Sequence, residues 1–142
     1  MTVELVRQHS DAASCSLWHV NKVCPHCAHA CIAMVAGMKT VDEAIVAVGD
    51  SDGMNCQSVL EALEKLGIGG RVVPCPRPAR SWEIPPLPSL AIIQLISPGI
   101  HFLVHTDGRV LDPGRGIVHP DYKERWNYCW MVEIDSGPRG GG

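Results

Sequence analysis

Three cysteines, Cys24, Cys27 and Cys31, lie within eight residues of one another. Cys27 begins an apolar run rich in Ala and Met over 27–38, which predicts a buried helix of about three turns. The first turn of a helix presents N–H groups without intrahelical partners and a partial positive charge. Both features favour a thiolate, the reactive form of cysteine. We therefore predict that Cys27 is a nucleophile.

A nucleophilic cysteine needs a base within hydrogen-bond reach and a third group that holds the base. The segment 101–112 predicts a β-hairpin that turns at Asp107-Gly108, because this dipeptide favours a type I′ turn. His101 opens the first strand and Asp112 closes the second. Pairing of the two strands brings these ends together, so we predict that His101 is the base and that Asp112 orients it.

The remaining pattern places helices first and an antiparallel sheet after them, which predicts an α+β fold. Helices are predicted at 27–38, 41–48 and 57–67, strands at 71–75, 89–96, 101–106, 109–112 and 127–134, and a proline-rich loop at 76–88. We expect a single domain over 1–136 and a disordered Gly-rich tail over 137–142.

Length and composition limit the classes of function. The chain has 142 residues, of which 46% are hydrophobic and 19% charged, so one packed domain is expected. A formal net charge of −3 gives no electrostatic reason to expect nucleic acid or an anionic membrane as partner. No apolar run reaches the roughly 20 residues that span a bilayer, and the first residues lack the apolar region of a secretory signal. We therefore expect a cytoplasmic protein; its oligomeric state stays open.

Three segments resemble a known family. CAHACIAMVAG at 27–37 resembles the nucleophile helix of the C39-type cysteine peptidases, a papain-like group that includes the bacteriocin-leader peptidases and has the pattern Cys-Gly-x-Ala-x-x-Ala-Met-Val. The segment 89–116 resembles the strand and hairpin that carry the histidine and aspartate of that family, and 59–68 resembles the helix ahead of its sheet. The resemblance covers residues 21–116.

The resemblance implies a papain-like fold, with N-terminal helices packed on a C-terminal antiparallel sheet and the active site between them. It implies acyl transfer by Cys27, His101 and Asp112 on a peptide or protein substrate, without a cofactor. The family has a glutamine six residues before its nucleophile that helps to bind the oxyanion; Asn21 stands there in this chain, and Ala28 replaces the family's Gly. Water as acceptor would give peptidase or deamidase activity, and an amine would give transglutaminase activity.

Two other classes of protein stay open. One is a catalytically silent peptide-binding domain of the same family. The other is a zinc- or redox-responsive module built on Cys24, Cys27 and Cys31, since Cys24 and Cys27 have the Cys-x-x-Cys spacing of thioredoxin-like motifs. A second pair of ligands at the usual spacing for zinc is missing, so we predict no metal site.

Individual residues also have alternatives. His105, on the same predicted strand as His101, and His119, in a predicted loop, are rival bases. Asp112 precedes Pro113 at a turn, where an aspartate commonly stabilises the main chain. Of the other residues in the first helix, we expect His29 to be a helix-face residue and Cys31 to be buried.

Overall fold

The computed structural model describes residues 3–6, 26–50, 54–77, 80, 86–95, 101–114, 116–118 and 128–135. Within these residues the helices precede the strands, and the fold is α+β, as the sequence predicts. Asn21, Cys24, His119 and the tail 137–142 lie outside the described residues.

Three helices form where the sequence predicts them, with small shifts at their ends. They are α1 (Cys27–Ala36), α2 (Val41–Val48) and α3 (Cys56–Lys65). Helix α1 ends at Ala36, next to Gly37, the residue at which the sequence predicts its end, because Gly37 adopts a left-handed conformation with φ 78°. Helix α3 begins one residue before the predicted start, because the Asn55 side chain caps it by accepting a hydrogen bond from the Ser58 N–H at 2.9 Å.

The strands of the described residues form one antiparallel sheet in the order β1-β6-β2-β3-β4-β5. They are β1 (Gly70–Pro74), β2 (Leu90–Leu95), β3 (His101–Thr106), β4 (Arg109–Asp112), β5 (Gly116–Val118) and β6 (Tyr128–Ile134). The sequence did not predict β5. Strand β6 lies between β1 and β2, and it approaches β1 so closely that a Cβ on Gly70 would lie 2.6 Å from the Glu133 carbonyl oxygen.

The predicted hairpin is present. Strands β3 and β4 pair across Asp107 and Gly108, whose φ angles of 46° and 80° are both positive. A type I′ turn requires positive φ at its two central residues, and Asp-Gly supplies them at small steric cost.

The sheet has a hydrophobic cluster on each face. Alternate residues of a strand point to opposite faces, so Ile92 and Val104 belong to the cluster that includes the helices, whereas Ile93 and Leu103 belong to a second cluster. Helix α1 packs on β3, on α2 and on α3, and α3 also packs on β1 and β6. In the part of the chain that the structure describes, we find no helix of the length and apolar character that a membrane crossing needs.

Candidate active site

Cys27 is the first residue of α1, and the residue is 7% exposed. The first intrahelical hydrogen bond runs from the Ala30 N–H to the His26 carbonyl oxygen at 2.9 Å. The N–H groups of residues 27–29 therefore have no acceptor within the helix and are hydrogen-bond donors at its first turn. This end of a helix stabilises negative charge, including that of a thiolate.

The hairpin brings His101 and Asp112 together. The His101 Nε2 atom lies 2.8 Å from Asp112 Oδ1, the distance of a strong hydrogen bond. The Asp112 side chain is 3% exposed and the His101 side chain is 27% exposed. The carboxylate is thus buried behind the ring, while the ring reaches the surface of the protein.

His101 also interacts with Cys27, so it lies between a carboxylate and a thiol. Burial lowers the pKa of His101, whereas the hydrogen bonds to Asp112 and to Cys27 and the charges of both groups raise it, with a net rise to about 9. Because the Nε2 atom of His101 is hydrogen-bonded to Asp112, Nδ1 is the ring nitrogen that can interact with Cys27. The raised pKa of His101 favours the protonated ring, and a protonated histidine near a cysteine sulfur is a common environment of reactive thiols.

Asp112 combines the two roles that the sequence left as alternatives. Its Oδ1 atom interacts with the ring of His101 and also accepts a hydrogen bond from the Gly114 N–H at 2.8 Å. The same carboxylate therefore stabilises the turn after β4 and fixes the orientation of the ring.

Cys31 lies one helical turn after Cys27 and is fully buried, as the sequence predicts. Burial raises the pKa of the Cys31 thiol well above its usual value, and the charges of Cys27 and Asp112 raise it further. Cys31 therefore stays a neutral thiol beneath the site and is a poor nucleophile.

Two histidines anchor the first turn of α1 to the segment that follows α2. The His29 Nε2–H donates to the Gly49 carbonyl oxygen at 2.8 Å, and His26 Nε2 lies 3.1 Å from Asp50 Oδ1. His29 is a helix-face residue, as the sequence predicts, and it is fully buried because the helix is apolar almost all round.

Other candidate residues are engaged elsewhere or lie outside the described residues. The His105 Nδ1–H donates to the Pro88 carbonyl oxygen at 2.7 Å, and burial lowers the pKa of this ring. Asn21, Cys24 and His119 lie outside the described residues. Over the described ranges, no group of three or more His, Cys, Asp or Glu side chains is arranged to hold a metal ion.

Comparison with solved structures finds a similar fold. The chain is similar to a double glycine motif protease from an AMS/PCAT transporter, crystallised in complex with the leader peptide. The identity is 23% and the TM-score 0.52, over 78% of this chain and 86% of that chain. No family model matches the sequence, and no curated protein matches it. At this identity the likeness concerns the fold, and it supports the papain-like fold that the sequence resemblance implies.

Proposed function

We propose that the chain is a cysteine peptidase in which Cys27 is the nucleophile, His101 the acid and base, and Asp112 the residue that orients His101. One observation carries the proposal: the hairpin holds the ring of His101 2.8 Å from Asp112, and Cys27, at the start of α1, lies near enough to raise the pKa of the same ring. A nucleophile, a base and an orienting group in this order are the arrangement that acyl transfer by a thiol requires.

The reaction begins when the Cys27 proton passes to His101, whose raised pKa makes the ring a better acceptor of that proton. The Cys27 thiolate attacks the substrate carbonyl carbon, and the carbonyl oxygen becomes an oxyanion. The Cys27 N–H and the Asn21 side-chain amide are the proposed donors to this oxyanion, which typically contribute roughly 3 kcal/mol each. The imidazolium then protonates the leaving nitrogen, and the carbon–nitrogen bond breaks to leave a thioester.

In the second half of the reaction, neutral His101 takes a proton from the acceptor, which attacks the thioester and releases Cys27. Water as acceptor completes hydrolysis. The solved neighbour binds a leader peptide; this supports a peptide or protein substrate for the present chain as well.

Alkylation of the protein tests the nucleophile. A peptidyl chloromethyl ketone at limiting dose and a pH of about 6 should modify Cys27 ahead of the other cysteines, because the neutral thiols of Cys31, Cys56, Cys75 and Cys129 have raised pKa values. Tandem mass spectrometry of the tryptic fragment 23–39 separates Cys27 from Cys24 and Cys31. Cys31→Ser, the matched control, should keep the modification and Cys27→Ser should lose it. Preference for Cys24, or equal modification of all cysteines, would contradict the proposal.

Turnover needs a separate measurement. Incubation with a peptide library in heavy-oxygen water should give fragments that carry the heavy oxygen in a new terminal carboxyl group, and Cys27→Ala should abolish them. Incorporation into side-chain carboxyl groups would indicate deamidation, and transfer to an added amine would indicate transamidation. A protein that is alkylated at Cys27 and binds peptides but converts none of them would be the silent binding domain.

A further inference from the structure

Cys75 and Cys129 lie on neighbouring strands at the end of the ladder between β1 and β6, and the Cys129 thiol donates to the Gln94 carbonyl oxygen of β2 at 3.5 Å. The last pair of that ladder is Pro74 with Trp130, and the Cys75 N–H donates to the Cys129 carbonyl oxygen at 3.1 Å, one position further on. Directly opposed residues that share such a bond have Cα atoms about 5.5 Å apart. A disulfide needs roughly 4.4–6.8 Å between Cα atoms, and the general spacing of opposed residues falls within that range.

Neither thiol is in a disulfide. The Cys56 thiol and the Arg77 guanidinium lie near this pair. Burial, and after it the charges of Cys129 and Cys56, raise the pKa of Cys75, while Arg77 lowers it, and the net pKa is about 12. Cys129 is the most exposed of the three; burial raises its pKa, while the Trp130 main chain and Arg77 lower it. Cys129 is therefore the thiol of this group that an external reagent reaches first.

We propose that Cys75 and Cys129 are a disulfide-forming pair that is oxidised by a low-molecular-weight disulfide such as oxidised glutathione. The Cys129 thiolate attacks one sulfur of the reagent and forms a mixed disulfide, and one glutathione leaves as its thiolate. The Cys75 thiolate then attacks the Cys129 sulfur and displaces the second glutathione. The protein loses two electrons and two protons, and the reagent gains them as two glutathione molecules.

The surroundings determine how this pair behaves. Few thiolates form at neutral pH, so the exchange is slow and accelerates at alkaline pH. In the same environment neither cysteine of the reduced pair is stabilised as a thiolate. The disulfide therefore resists reduction once it has formed. It would join the end of edge strand β1, where the proline-rich segment begins, to an interior strand of the sheet. The pair is separate from Cys27, so this proposal does not depend on the proposed peptidase activity.

Tryptic fragments separate the relevant cysteines. Fragment 72–80 contains Cys75 alone, since Arg77 precedes a proline, and fragments 126–139 and 40–65 contain Cys129 and Cys56 alone. The full chain is incubated with oxidised glutathione at mildly alkaline pH, blocked with N-ethylmaleimide and digested without reduction. Mass spectrometry should find 72–80 joined to 126–139, and reduction should separate them.

Variants establish the order of the two steps. Cys75→Ser should stop at a glutathione adduct on Cys129, and the matched control Cys56→Ser should still form the cross-link. A dominant link between 126–139 and 40–65 would overturn the pairing, because Cys56 would then be the resolving thiol. Wild-type protein in which 72–80 and 126–139 keep free thiols, or in which the Cys129 adduct persists beside free Cys75, would overturn the proposal altogether.

Discussion

At Asp112 one carboxylate oxygen interacts with both the ring of His101 and the main chain of Gly114. The two contacts differ in what they require. The bond from the Gly114 N–H needs an acceptor oxygen, which an amide also has, whereas the raised pKa of His101 needs a negative charge. A substitution that keeps the oxygen and removes the charge therefore separates the role of Asp112 in the turn from its proposed role in catalysis.

Asp112→Asn is that change. The amide oxygen can keep the bond to Gly114, but the charge that favours the His101 imidazolium is lost. We expect kcat to fall by roughly 10²–10⁴-fold, the range of a displaced acid–base group. Above about pH 9, where His101 is neutral in both proteins, Tm should change little. Peptide turnover and thermal unfolding measured on the same preparation give both numbers. Full activity in Asp112→Asn would remove Asp112 from the site and leave a Cys27–His101 dyad.

The raised pKa of His101 also predicts how stability depends on pH. The pKa rises from an ordinary 6.5 to about 9 in the folded protein. Binding of the proton therefore stabilises the fold, fully below pH 6.5, and this contribution is lost as pH rises through about 9. The Tm advantage of wild type over Asp112→Asn should shrink across this interval. An advantage that stays constant in circular-dichroism melts across that range would contradict a raised His101 pKa.

The sequence could place His101 beside Asp112, because a hairpin with an Asp-Gly turn fixes both strand ends locally. It could not place His29 against Gly49, because that contact joins two segments through packing of α1 on α2. It also could not show that Asp112 bonds to Gly114 and His101 together. Local pattern predicts pairing within a hairpin, whereas contacts between elements depend on how the whole molecule packs.

Helix α1 carries Cys27, the proposed nucleophile, and two contacts of unequal burial anchor its first turn. His29 is fully buried against the Gly49 carbonyl, whereas the side chain of Asp50, the partner of His26, is 63% exposed. A buried hydrogen bond is costly to lose, because the group left behind has no water to replace its partner. An exposed ion pair contributes little, since water and salt screen it.

His29→Ala and His26→Ala form a matched pair of variants on this turn. We expect His29→Ala to lower the free energy of unfolding by about 2–4 kcal/mol, through a cavity and a lost buried bond. His26→Ala should cost less than about 1 kcal/mol. Urea unfolding of both variants checks the contrast. Equal costs would mean that burial of His29 does not determine how firmly the turn is held.

Among the elements, α2 forms with the predicted bounds and β5 is the strand that the sequence did not reveal. Strand β5 has three residues and begins at Gly116 with φ 105°, so it is too short to show the alternation that marks a strand, although Ile117 and Val118 are typical strand residues. The position of β6 between β1 and β2 was equally unpredictable. Periodicity reports which residues are extended, but it does not report which strand pairs with which.

In the molecule as a whole, one sheet joins the two hydrophobic clusters. Leu103 and Ile93 pack on the face away from the helices, while Ile92 and Val104 pack towards them on the same strands. Because both clusters share β2 and β3, loss of either one disturbs the strands that support the other. We therefore expect a single cooperative unfolding transition.

Leu103→Ala tests this coupling, with Ile117→Ala as control. Leu103 is fully buried in the cluster away from the helices, so its truncation should cost about 2–5 kcal/mol. Ile117 is 61% exposed, and its truncation should change stability by less than about 0.5 kcal/mol. Far-UV circular dichroism and tryptophan fluorescence should report the same urea midpoint for each protein. Separate midpoints in Leu103→Ala would show that the two clusters unfold independently.

The order β1-β6-β2 has a consequence for the growing chain. Strand β6 emerges from the ribosome after the other described strands, yet β1 and β2 each pair with it, and β1 has no other neighbour in the sheet. During synthesis β1 can pack on α3 but cannot pair with β6 until that strand is made, while β2–β5 can pair among themselves. The contact that completes the sheet is thus a long-range one, which makes folding slow and leaves the facing edges of β1 and β2 open to other chains until β6 arrives.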